Sequence, residues 1–271
     1  MVSTPKLRKN NDHRKNIEKP VHQKVVGSPS QSTKPPQETF RKKAKPKLRG
    51  VSHFIAFFIS LYTGCRLCNL APVGTFYQVL LYSFSISGVF GASALLHCTT
   101  WRTRKYYRIM RIIDHSMVFV LIASTYTLTT ILPYAGRLLV FVGWAGALMG
   151  IAFKVFFFSK VEVGPKMITS IPYLLLGWAS LLEIPNIQYY ITSFGYGWVV
   201  KALIGGLSVS GGALAYTFKK PNLIPGIFGF HELLHISVIF CVYCFYLCAE
   251  QMILHPSIQA ILETPISIIN K

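Results

Sequence analysis

The stretch HELLHISVIFCVYCFYLCAEQMI, residues 231–253, decides the fold. It is apolar almost throughout and, at 1.5 Å per helical residue, long enough to cross the ~30 Å hydrocarbon core of a bilayer. Its opening residues set His231 and His235 four apart, so one face of a helix carries both imidazoles. A polar group at membrane depth is costly and marks a functional position.

Working outward, six more apolar stretches precede this one, at residues 51–68, 76–97, 113–132, 138–158, 167–182 and 196–217. The chain is 52% hydrophobic, has a mean hydropathy of +0.43 and holds only 9 acidic residues. The expected fold is an all-α integral membrane protein, a seven-transmembrane helix bundle. Continuous apolarity argues against a β-barrel, whose strands alternate. The first and fifth stretches fall short of the ~20 residues a span needs. No apolar core lies where a cleavable signal peptide would place one, so the first span is expected to act as the insertion signal.

Residues 1–50 are different material, with 14 Lys or Arg against 3 acids before Gly50, many polar residues and few aromatics. They are expected to form a disordered basic tail, followed by a transmembrane domain at 51–255 and a short carboxyl-terminal tail at 256–271. The cluster Arg41, Lys42, Lys43, Lys45, Lys47, Arg49 directly before the first span suggests contact with anionic lipids, not nucleic acid. Arg102, Arg104, Lys105, Arg108 and Arg111, then Lys160 and Lys166, then Lys219 and Lys220 fall between spans on the tail's side. The positive-inside rule therefore places the amino terminus in the cytoplasm and, with seven spans, the carboxyl terminus outside.

That orientation brings His97, Asp114, His115, His231 and His235 to one level at the cytoplasmic end, where histidines and a carboxylate make a plausible Zn2+ site.

The runs SALLHC (93–98), RIIDHSMVFVLIASTYT (111–127), GIAFKVFF (150–157), YLLLGW (173–178) and HELLH together resemble the hemolysin III family, within the progestin and adipoQ receptor superfamily of seven-helix membrane proteins. The resemblance implies that His97, His231 and His235 are zinc ligands, that Asp114 holds a zinc-bound water and that Ser93 stands beside it. His53, in GVSHFIAFF, looks like the histidine of the family's first-span motif, although the acidic and amide residues usual before it have no counterpart in KPKLRG.

Three imidazoles on a Zn2+ leave a fourth position, where a water has its pKa lowered to about 7. Asp114 can then hold the water or take its proton, while Ser93 orients the aspartate or donates to a developing oxyanion. At the membrane edge the expected substrate is a lipid amide or ester. The superfamily's grouping with alkaline ceramidases points to an amide of the ceramide type. A purely structural zinc tying two helices is the alternative for the metal. For the protein as a whole, the alternatives are a pore-forming cytolysin that oligomerises and lyses erythrocytes or other cells, and a receptor for a lipid or hormone-like ligand. The expected membrane is the plasma membrane or an endomembrane.

Read literally, HELLH is also the zincin pattern, with Glu232 as a peptidase base. The third ligand at His97 and a helix that spans the membrane argue for capping by Glu232 instead. Cys65 and Cys68 form a C-x2-C pair that could bridge. Cys241, Cys244 and Cys248 read as packing residues, His115 reads as an interface residue, and the glycines between 205 and 215 read as a close helix contact.

Overall fold

The computed structural model describes residues 48–132, 136–160 and 166–263; most of the basic tail lies outside them. Among the described residues, seven helical segments are long and apolar enough to cross a membrane. They are α1 (Val51–Leu70), α2 (Phe76–Cys98), α3 (Arg104–Thr129), α4 (Arg137–Lys160), a fifth segment built from α5 (Lys166–Trp178) and α6 (Ile187–Phe194), α7 (Tyr196–Phe218) and α8 (Phe230–Ile253). A short α9 (Pro256–Glu263) folds back after the last of them and buries Ile258 in the main core. The chain is an integral multi-pass membrane protein with an all-helical fold.

Two helices depart from the pattern of apolar stretches. The third begins at Arg104, well before residue 113, and its first turns carry Arg104, Lys105, Arg108 and Arg111. Thr103 caps it, its hydroxyl accepting from the Tyr106 N–H at 3.3 Å. Lys and Arg are good helix formers, so a helix extends through residues that hydropathy assigns to a loop. The fifth span runs to Phe194, beyond residue 182. Pro172 interrupts α5 and Pro185 lies in the 3-10 stretch Ala179–Asn186 that joins it to α6. Proline removes a backbone donor and disrupts regular helix. Glu183, just past residue 182, is held inside the span: it accepts from the Gly136 N–H at 3.1 Å, from Asn186 Nδ2 at 2.9 Å and from the Tyr190 hydroxyl at 3.1 Å.

Large apolar side chains such as Tyr62, Phe84, Phe141, Leu148 and Leu175 point away from the bundle. Between the helices, small residues and polar pairs add to the packing of apolar side chains, as expected where the solvent is itself apolar. Ser85 and Ser124 hydroxyls meet at 2.6 Å between α2 and α3, the Tyr126 hydroxyl donates to the carbonyl of Leu176 at 2.6 Å, and Trp198 Nε1 donates to the carbonyl of Cys248 at 3.1 Å. The main core gathers Ala56, Val79, Tyr82, Ile86, Val89, Phe90 and Met252 from α1, α2 and α8.

The glycines of α7 allow close approach to α8. A Cβ on Gly212 would lie 2.6 Å from Ser237 Cβ and 3.3 Å from Leu234 Cα, whereas one on Gly206 would meet nothing within 4 Å. Gly212→Ala should therefore cost about 1–3 kcal/mol by overpacking, and Gly206→Ala should stabilise slightly through helix propensity. Thermal unfolding of the two variants in detergent checks this, with equal midpoints as the contrary result. Cys244 and Cys248 are buried in packed positions, and neither Cys65 nor Cys68 is in a disulfide.

Candidate metal centre

The second helix ends one residue after His97, and α8 begins one residue before His231. Short connections make successive spans antiparallel, so these two ends meet at one end of the bundle. His231 and His235 lie one turn apart on the same face of α8. One nitrogen from each of His97, His231 and His235 lies within 4.8 Å of the other two, and this group includes no carboxylate. His97 Nε2 and His231 Nε2 are 3.3 Å apart, and the ring centroids are separated by 4.7–5.1 Å.

The donor set suits zinc. Two nitrogens each ~2.05 Å from an ion at a tetrahedral angle would lie about 3.3 Å apart, which is the His97–His231 separation. His235 is buried, and its Nδ1 has no hydrogen-bond partner among the described residues, an arrangement that a buried polar atom rarely keeps without a ligand or water. Three histidines without an acid also match a site with a place left open, the arrangement typical of catalytic zinc.

Each candidate ligand is held by its neighbours. Glu232 sits in the first turn of α8, 4% exposed, and its Oε2 accepts from the backbone N–H of Gly229 at 2.9 Å. This caps the helix that carries His231 and His235. Oε1 of the same carboxylate takes a charge-assisted bond from Arg49 Nε at 2.9 Å. Both oxygens are thus engaged, which removes Glu232 from the role of peptidase base. Arg49, which the sequence sets in the basic cluster before the first span, is an ion-pair partner of α8. His53 is buried, stacks on His235 with centroids 4.0 Å apart and lies 3.2 Å from its carbonyl oxygen.

Ser93 lies one turn before His97 on α2 and is buried, with its hydroxyl within hydrogen-bonding reach of the Asp114 carboxyl. Asp114 is thus paired with Ser93 and is not part of the three-histidine group. Tyr216 of α7 adds an aromatic wall, its ring 5.3 Å from that of His231. His115 turns toward α4 and α5, with its ring 5.1 Å from Phe158 and its carbonyl accepting from the Tyr173 hydroxyl.

Lys154 is given no role by any motif in the sequence. It is 0% exposed, its Nζ donates to the Thr169 carbonyl at 2.6 Å, and it stands 4.3 Å from the Tyr173 ring centroid. A lone lysine inside an apolar span was the available signal, and the hydropathy of its neighbours masked it.

Comparison with known proteins gives the family. The family model "Haemolysin-III related" matches residues 41–246. The chain is 33% identical over 148 residues to a hemolysin-3 homolog of Bacillus subtilis (strain 168), covering 52% of this chain and 65% of that protein. It is 29% identical over 143 residues to hemolysin-3 of Bacillus cereus, covering 52% of this chain and 61% of that one. The matched part is thus less than two thirds of either relative's length. With a family model spanning most of the bundle and both helix ends that carry the three histidines, the chain belongs to the haemolysin-III related family.

Proposed function

We propose that this protein is a zinc-dependent hydrolase of membrane lipids acting on an amide of the ceramide type, within membrane homeostasis. The observation that carries the reading is the group His97, His231 and His235, with Ser93 one helical turn before His97 and Asp114 within hydrogen-bonding reach of Ser93. When bound, zinc would act as a Lewis acid and lower the pKa of a water to about 7.

In this reading Asp114 is the general base. Its carboxylate takes the proton as the water oxygen bonds to the amide carbonyl carbon, then returns it to the nitrogen as the C–N bond breaks, leaving an acid and an amine. Ser93 holds Asp114 in place through its hydroxyl. The site lies near the ends of α2 and α8, and the proposed substrate is a lipid whose head group and first acyl bonds reach that end of the bundle. In this reading the site faces the cytoplasm, as the positive-inside rule would have it, and the basic tail meets anionic lipid.

The test is turnover of a ceramide in detergent micelles by the purified protein, with metal content measured in parallel. Release of fatty acid that stops on metal chelation supports the reading; a metal-loaded protein inert toward ceramides and other lipid amides and esters contradicts it. A second reading, an oligomeric pore-forming cytolysin, draws on the relatives named as hemolysins. It requires dye release from liposomes that survives Ser93→Ala and Asp114→Ala.

A further inference from the structure

We propose that the entry into the first helix, Arg49-Gly50 with His53, is a brace that positions all three candidate ligands. The inference rests on the metal reading of His97, His231 and His235 and assigns their alignment to a segment that none of them belongs to. Within five residues the chain touches the carrier of each ligand.

Arg49 engages Glu232, the residue after His231, through its Nε at 2.9 Å. Because the other oxygen of Glu232 caps α8 at Gly229, the ion pair fixes where that helix begins and how it is rotated. A nearly buried carboxylate that loses its cation is left uncompensated, so the pair is costly to open.

Gly50 packs on His97. It adopts the left-handed conformation (φ 85°), which favours glycine. A Cβ at this position would lie 2.6 Å from the Cβ of His97 and 2.9 Å from Cys98 Sγ. Any other residue would therefore push on the end of α2 that presents the imidazole.

His53 completes the brace at His235. Its ring stacks on the ligand ring at 4.0 Å, and its Nε2 is 3.2 Å from the His235 carbonyl oxygen. A carbonyl only accepts, so the proton of this bond lies on Nε2 of His53. Three adjoining features of one short segment thus meet α8 at its first turn, α2 at its last, and the ligand one turn deeper in α8. Residues that orient ligands from outside the coordination sphere typically change metal affinity by 10- to 100-fold.

The experiment uses the full-length chain in detergent, as wild type, Arg49→Ala, Arg49→Lys, Gly50→Ala and His53→Ala. Zinc release to a chelator gives the affinity, and the visible absorption of Co2+-loaded protein reports ligand geometry. Ser60→Ala, which removes a 3.1 Å hydroxyl contact to Ser87 between α1 and α2 away from the site, controls for loosening of α1 alone. The expected result is a 10- to 100-fold loss of zinc affinity in Arg49→Ala, Gly50→Ala and His53→Ala with an altered cobalt spectrum. Arg49→Lys should recover part of the loss, and Ser60→Ala should leave both readouts unchanged.

Wild-type affinity and spectrum in folded His53→Ala and Gly50→Ala, whether or not Arg49→Ala folds, would overturn the brace and leave the metal reading standing. A folded wild type that takes up neither zinc nor cobalt would overturn both.

Discussion

Asp114→Asn should lower lipid amide turnover by about 10²- to 10⁴-fold while zinc content stays at the wild-type level. Asparagine is nearly isosteric with aspartate and can still meet the Ser93 hydroxyl, so the packing of α2 on α3 is kept and only the proton acceptor is lost. The three-histidine group contains no carboxylate, so the ion does not depend on Asp114. Steady-state turnover and metal content of the same preparation decide the matter. Loss of zinc together with activity would instead make Asp114 a ligand, and full activity would remove it from the chemistry. Ser93→Ala should fall in the same direction by a smaller factor, because Ser93 acts through Asp114.

The second large effect is on stability. A ligand that binds the folded state alone stabilises it by about 4 kcal/mol at a thousand times its dissociation constant. Joining the end of α2 to the start of α8 through His97, His231 and His235 should therefore raise the unfolding temperature of the zinc-loaded protein by several degrees over the chelated protein. His231→Ala/His235→Ala leaves one of the three ligands, so its unfolding temperature should not respond to zinc or chelator. Thermal scans of both proteins with and without chelator provide the check; equal responses in the two would show that the stabilising metal binds elsewhere.

Much of this architecture is legible in the chain because its signals are of the kind that periodicity carries. Continuous apolar runs mark the spans, and the spacing of His231 and His235 puts both on one helix face. The parity of seven spans then brings His97 to the same end. These inferences need only the length of a helix and the alternation of its direction. Pairing is harder to see. Arg49 stands in a run of basic residues whose other members lie outside the described residues, and nothing in that run distinguishes the one residue that meets Glu232. Gly50 looks like a simple helix boundary until its positive φ and its approach to His97 are seen together.

The helix boundaries fail for a related reason. The start of α3 is basic and the close of the fifth span holds Pro185 and Glu183, so hydropathy takes both for loops, although backbone hydrogen bonding and the contacts of Glu183 keep them ordered. Lys154 shows the limit most plainly. A single charge averaged over an apolar helix is nearly invisible, and only the fold reveals that it is wholly buried against Tyr173 and the carbonyl of Thr169. The Ser93–Asp114 pair falls between these cases, since a motif marks each residue but their contact depends on how α2 packs on α3.

The most direct test of the account is the metal content of the detergent-purified protein by inductively coupled plasma mass spectrometry, with the His231→Ala/His235→Ala protein beside it. About one zinc per wild-type chain, absent from the double variant, is the predicted result. A well-folded wild type that purifies without zinc and takes up none on addition would contradict the central claim.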